Sequence, residues 1–541
     1  MQKITLVNYP YVSSVVKYPL GLLNLKHILD NGQEGFTTNV VDFNRLINEK
    51  ALSTVDFKSK NYPLICGYIL DNDPDMVGFS TIAMSLDIVL EMAEYIKKIK
   101  PEVTIFLGGP AATVVCDRIL TSFPSIDLIF LGESETCIEP VLTAQINKLP
   151  YAHVKSNIAY RYNGAICYQY NAPPVELDGL PFLDLHQYGN LGEIDIEVGR
   201  GCPFNCYFCA TSIYWRRHYS LKSPYRIVKE LMHYIDTTGI RKFNFIHDLF
   251  TFKRDFVTSV CDEILRAGIE IEWSCSARID CLDEQLLNHM KSAGCSSIFI
   301  GIESASERMQ TVMRKHLNLA HAIETLHLIK AIGIDVTTSF VYGFPEETEE
   351  DLKKTISLIQ EIINNFNFRV LISKCTYYPD TDVFLLHKER INTFSPTGDY
   401  LSLHSPNTIP EIINANRDLF PCFYSLDDQD QHQCLDVFIN FYIKLIQKAM
   451  PNVYIVLLEH FDFLQMYYAF YDLWIKIEQV SNKLYEKSIS FEAFFSEFVC
   501  LFESAVLKNT SLPSSLIEAL YFDKEFLHVS AEQKTNMEGE L

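Results

Sequence analysis

The chain lacks any uninterrupted apolar run of about 18 residues, the length needed to cross a bilayer. Its opening, MQKITLVNYP, lacks the charged-then-apolar pattern of a secretory leader. It is short of positive charge: 46 Lys and Arg stand against 68 Asp and Glu, a formal net charge of −22. Such a field repels phosphate backbones, so no long nucleic acid is expected as a partner. The 15 cysteines are spread over 541 residues without a leader, which excludes a compact disulfide scaffold. Free thiols in a reducing compartment, the cytoplasm, are expected instead. No internal repeat and no low-complexity tract occurs. A second C-x2-C pair, which a closed four-ligand zinc site would need, is also missing.

What is present is a globular composition, 48% hydrophobic and 21% charged. A chain of 541 residues implies roughly two to four domains. The first 145 residues alternate strand and helix. Apolar stretches 3–9, 38–43, 75–81, 103–110 and 127–135 read as strands, with helices at 19–29 and from Leu86 to Ile96. That order implies a doubly wound parallel sheet, Rossmann-like in class, whose ligands bind outside the C-terminal strand ends. Those ends carry Ser80, Thr81, Gly108, Gly109, Gly132 and Glu133. Residues 146–190, with NAPPVELDGLPFLD, read as a linker.

The alternation resumes over 191–425. Strands are expected at 193–199, 242–248, 271–277, 297–304, 335–345 and 368–374, with amphipathic helices between them. Strand–helix units in such a series predict a partial (β/α)6 barrel of the TIM type, whose chemistry gathers at the C-terminal strand rim. From 426 to 528, apolar and aromatic residues at helical spacing predict a helical domain, and 529–541 reads as a disordered tail.

The first barrel strand runs into GRGCPFNCYFC, where Cys202, Cys206 and Cys209 follow C-x3-C-x2-C spacing. Thiolates are soft ligands for iron–sulfur clusters and zinc. Three protein ligands leave one metal position open, as a catalytic cluster requires. The alternatives are three structural cysteines, or zinc with His218 as fourth ligand.

These residues resemble the radical S-adenosylmethionine (SAM) enzymes. The resemblance covers about 193–375. It implies a [4Fe–4S] cluster on the three cysteines, with Phe208 covering it and SAM chelating the fourth iron. Reductive cleavage of SAM then yields a 5′-deoxyadenosyl radical that abstracts hydrogen from an unreactive carbon. FIHDLFT resembles the second-strand motif and places Asp248; CSARID resembles the third and places Ser276 and Arg278. GIESASERMQTVMRKHL resembles the fourth, with Glu303 set to meet the SAM ribose or amino acid moiety. TTSFVYGFPEET resembles the fifth, whose backbone from Val341 to Gly343 lies along adenine.

The N-terminal sheet resembles the cobalamin-binding domain that precedes the barrel in B12-dependent members of the class. It implies that the cofactor's lower tail threads near Ser80, Thr81, the Gly108–Gly109 pair and Glu133. The histidine motif D-x-H-x-x-G is absent, and His27 lies inside a helix, so cobalamin is expected to bind without histidine ligation. The implied activity is C-methylation of a small-molecule or peptide substrate, with a flavodoxin or ferredoxin as electron donor. A radical isomerase, epimerase or cyclase is the alternative enzyme, and an iron–sulfur electron carrier or metal sensor the alternative class.

Overall fold

The computed structural model describes residues 2–10, 17–189, 191–366, 368–394, 403–404 and 409–426, with isolated positions beyond. The helical domain expected at 426–528 and the tail at 529–541 therefore lie outside the described residues, apart from those positions. The described chain forms two compact units. The first comprises Met1–Phe299, Leu328–Asp335 and Thr376–Ser425. The second includes Ile300–His327 and Val336–Cys375.

In the first unit, β1 (Lys3–Asn8), β2 (Thr37–Asp42), β3 (Met76–Ser80), β4 (Thr104–Gly108) and β5 (Leu128–Phe130) form a parallel sheet in the order β2-β1-β3-β4-β5. Strand order reverses between β1 and β3, which opens a crevice at their C-terminal ends. β1, β3, β4 and β5 are apolar because both faces are covered; Ile4, Leu6, Val77, Ile105 and Leu128 are all buried, whereas the edge strand β2 keeps polar, partly exposed residues. Three helices, Phe43–Asn48, Thr54–Lys58 and Tyr62–Leu70, fill the β2–β3 crossover. They are too short to show a clear 3.6-residue period.

The segment 146–190 is not a bare linker. It contains β6 (Asn157–Tyr162) and β7 (Ala165–Tyr170), an antiparallel hairpin added to the edge of β5. Asn163 and Gly164 turn the hairpin with φ of 48° and 78°, the left-handed pair of a type I′ turn. Arg161 staples the hairpin to the sheet domain by donating to the carbonyls of Leu120, Phe123 and Ile126, each at 2.6 Å.

The second strand series follows expectation. In the first unit, β8 (Ile194–Glu197) continues into β9 (Gly199–Gly201), which pairs antiparallel with β10 (Tyr219–Leu221). β8, β11 (Lys242–Ile246) and β12 (Glu272–Ala277) pair in parallel. Helix Pro224–Thr238 shows why the elements end where they do. Ser223 caps it by accepting from the Arg226 N–H, Pro224 opens it, and Gly239 closes it at φ 75°. β13 (Cys295–Glu303) begins in the first unit and ends in the second. In the second unit, β14 (Asp335–Tyr342) and β15 (Arg369–Lys374) are parallel.

Candidate functional site

At the C-terminal ends of the first sheet lies a cavity of about 570 Å³. Two adjacent glycines shape it differently. Gly109 has φ 91°, and a Cβ there would sit 2.7 Å from the Thr81 carbonyl oxygen. The backbone therefore demands glycine at 109. At Gly108 a Cβ would meet nothing nearer than Phe130 at 4.0 Å, so the space beside it belongs to the cavity. Thr81 is used up within the fold: its hydroxyl donates to the Gly108 carbonyl at 2.7 Å and accepts from the Ala112 N–H at 2.9 Å. Ser80 lines the cavity, whereas Thr81 does not. The floor is apolar. Gly78 makes room for the Phe106 ring, which packs edge-on to Phe130 at 5.5 Å.

The apolar floor at Phe106 and Phe130, the open backbone at Gly108 and the polar rim suit a large cofactor that combines an aromatic group with polar edges. His27 is exposed in the last turn of its helix, and no histidine lines the cavity among the described residues. Nothing there would coordinate a cobalt through imidazole.

The cysteine loop begins where β9 ends. Gly201 has φ 82°, and a Cβ there would lie 2.1 Å from the His218 carbonyl oxygen, so only glycine closes this strand pair. Asp248, just after β11, accepts from the Gly201 N–H at 2.8 Å and from the Thr211 hydroxyl at 3.4 Å. Burial raises its carboxyl above the ordinary range, and the Gly201 N–H opposes that. The Cys209 N–H donates to the Cys206 carbonyl at 3.1 Å, which folds the loop back. All three loop cysteines are half-buried.

Burial pushes the Cys202 thiol up to about 11, and the Cys209 and Cys206 thiols add to that. A cationic metal centre would oppose this and hold the thiols as thiolates. Among the described residues no three His, Cys, Asp or Glu side chains converge on a single metal ion, and His218 is exposed. Three thiols are the kind of soft donors that an iron–sulfur cluster takes.

Phe208 is half-buried, but it is Phe204 that receives Arg278, whose guanidinium lies 4.2 Å above its ring. Arg278 is itself buried and paired with Asp280 at 2.8 and 3.0 Å, so it braces the loop. Ser276 is half-buried on β12, two residues along from Ser274. Ser274 donates to Asn244 at 3.2 Å, and Asn244 to Asp195 at 2.9 Å, forming a polar row across β12, β11 and β8. Lys17 donates to Asp195 at 2.7 Å and Glu193 at 2.9 Å. This row was not anticipated from the sequence, although polar residues at matching places in three apolar strands were the available signal.

In the second unit, Glu303 is buried with φ 67°, a strained geometry for a non-glycine residue that is frequent at functional sites. Its carboxylate meets Lys315 at 2.6 Å, a partner not singled out in the sequence. A Cβ at Gly301 would overlap both side chains, which explains the glycine of GIES. Val341 is half-buried, and the Gly343 N–H donates to Glu347 at 2.6 Å. Burial pushes the Glu347 carboxyl up to about 7, with the Gly343 N–H opposing.

Residues 196–359 match the radical SAM superfamily, and residues 15–142 match the B12 binding domain. The chain is 28% identical over 323 residues to an uncharacterized methyltransferase of Pyrococcus horikoshii, an overlap of 57% of this chain and 68% of that one. It is 26% identical over 302 residues to the anaerobic magnesium-protoporphyrin IX monomethyl ester cyclase of Rubrivivax gelatinosus, covering 53% of this chain and 54% of that one. Its fold is similar to that of the cobalamin-dependent SAM radical enzyme OxsB, solved with aqua-cobalamin and SAM bound. That likeness has a TM-score of 0.62 at 15% identity and covers 100% of this chain and 83% of that one.

Proposed function

We propose that this chain, in which residues 196–359 match the radical SAM superfamily and residues 15–142 the B12 binding domain, is a cobalamin-dependent radical SAM enzyme that moves a methyl group from SAM to an unactivated carbon of a small molecule or peptide. The observation that carries this reading is a single cavity with two kinds of wall. Ser80, Gly108 and Gly132 contribute from the sheet, and Glu197, Arg200 and Trp215 from the cysteine-bearing strand and its loop. The likeness to a methyltransferase supports methyl transfer.

Cys202, Cys206 and Cys209 would hold the [4Fe–4S] cluster, and the sheet-edge cavity would hold cobalamin. Once bound, the cluster supplies the electron that breaks a SAM carbon–sulfur bond, and cobalamin carries the methyl group. The chain's own residues work by position. Asp248 and Arg278 fix the cysteine loop through Gly201 and Phe204. Gly108 would leave backbone bare and Ser80 would offer a small side chain to the cofactor tail, while Thr81 and Gly109 hold that backbone in shape. Within the second unit, Glu303 would offer a carboxylate and the Val341–Gly343 backbone a polar edge to SAM. A flavodoxin or ferredoxin in the cytoplasm is the proposed electron source. No described helix is long and apolar enough to cross a membrane.

The test is anaerobic reconstitution with iron, sulfide and hydroxocobalamin, followed by reduction in the presence of SAM. Retained cobalamin with both 5′-deoxyadenosine and S-adenosylhomocysteine formed is the expected result. SAM cleavage by protein that retains no cobalamin would refute methyl transfer. It would leave ring formation, the second reading, which the likeness to the cyclase favours.

A further inference from the structure

Arg200 lies two residues before Cys202, on β9, with its side chain only 9% exposed. Its guanidinium is shared among three carboxylates. Nη1 donates to Glu133 at 2.7 Å and Nη2 to Glu135 at 2.7 Å. Nε and Nη2 reach Glu197 at 2.8 and 3.0 Å. Glu197 sits on β8, beside the cysteine strand, whereas Glu133 and Glu135 sit in the loop that follows β5. One side chain therefore ties the edge of the first sheet to the root of the cysteine loop.

One positive charge among three negative ones is a poor way to gain stability. Buried ion pairs roughly break even against apolar packing, and their best-attested use is to fix register. The guanidinium suits that use, because its planar, rigid fork satisfies several acceptors at fixed angles, which an ammonium cannot. We propose that Arg200 is a positioning residue that locks the sheet-edge loop 131–136 against the cysteine loop, so that the two cofactor sites keep one spacing. The significance of that spacing rests on the proposed function. The lock itself does not depend on that reading.

The experiment uses Arg200→Lys, which keeps the charge and loses the fork, and Glu135→Ala, which leaves Arg200 two carboxylates and so spares the fold. In purified cofactor-free protein, amide hydrogen exchange is followed in both loops. Arg200→Lys should speed exchange in 131–136, and Glu135→Ala should speed it in 199–209, each by roughly tenfold or more, the scale of a lost charged hydrogen bond. Faster exchange only in each variant's own loop would overturn the proposal. In reconstituted enzyme, both variants should keep their iron, and turnover is counted per cobalamin bound. The ratio of 5′-deoxyadenosine formed to methyl transferred should rise, by up to about a hundredfold, the scale of a misplacement near 1 Å. A wild-type ratio in both variants would also overturn it. Wild-type protein that binds no cobalamin would sink the methyl-transfer reading instead, with the exchange result still deciding the lock.

Discussion

The cysteine loop and the sheet edge line one neighbourhood by opposite means. At the loop the chemistry lies in side chains, three thiols whose spacing no other residue type can replace. At the sheet edge the useful feature is missing side chains, with bare backbone at Gly108 facing the cavity. The loop should thus fail all at once when its thiols go. The edge should fail in proportion to the bulk added. Two neighbouring glycines divide even this rule: Gly108 serves the space, while Gly109 serves the backbone through its φ of 91°.

The largest effect is expected from replacing Cys202, Cys206 and Cys209 together with alanine. Iron should fall from about four per chain to background, and SAM cleavage should cease. The circular dichroism spectrum should stay native, because half-buried thiols carry little of the core. Iron content matching wild type would end the cluster assignment.

Next comes the glycine pair. Gly108→Phe should expel cobalamin while sparing the cluster and 5′-deoxyadenosine formation. Gly108→Ala should leave stability within about 0.5 kcal/mol of wild type. Gly109→Ala should cost about 1–3 kcal/mol whether or not cofactor is present, since it forces a left-handed residue against Thr81. Equal denaturation midpoints for the two alanine variants would erase the distinction.

A smaller effect is expected in the second unit, where Glu303 combines backbone strain with a charged side chain. Glu303→Gln should weaken SAM binding about ten- to a hundredfold, the worth of one charged hydrogen bond. It should leave iron content unchanged. An unaltered Kd by calorimetry would reassign Glu303 to supporting Lys315.

The smallest concerns pH. The Glu347 carboxyl rises from its ordinary 4.5 to about 7 through burial. Folded protein then holds a proton that unfolded protein releases above about pH 4.5, so this group's contribution declines as pH rises from there and levels off above 7. The shift corresponds to roughly 3 kcal/mol. Glu347→Gln should flatten the fall in Tm across that window while still accepting from Gly343. Parallel Tm curves for variant and wild type would exclude Glu347 as the source.

Much of this was legible in the chain before folding. Cys202, Cys206 and Cys209 announce themselves because cluster ligation needs fixed short spacing, and spacing within eight residues is local. β1, β3, β4 and β5 were readable because burial on both faces makes them apolar, and β12, β14 and β15 because buried and less buried residues alternate along them. The hairpin at 157–170 is masked in the sequence by the prolines and aspartates that follow it, although Asn163–Gly164 marks its turn. The three short helices between β2 and β3 left no period to detect.

By itself, then, the sequence determined the strand–helix order, the thiol triad and the glycines that open the sheet edge, since each depends on residues close along the chain. Only the tertiary structure decided that Thr81 is spent on Gly108, that Lys315 answers Glu303, that Asp195, Asn244 and Ser274 form one row, and that Arg200 joins Glu133 and Glu135. Those partners lie up to 67 positions apart along the chain. Which distant carboxylate meets which cation is set by how strands register and loops close, and that information is not carried by any local stretch.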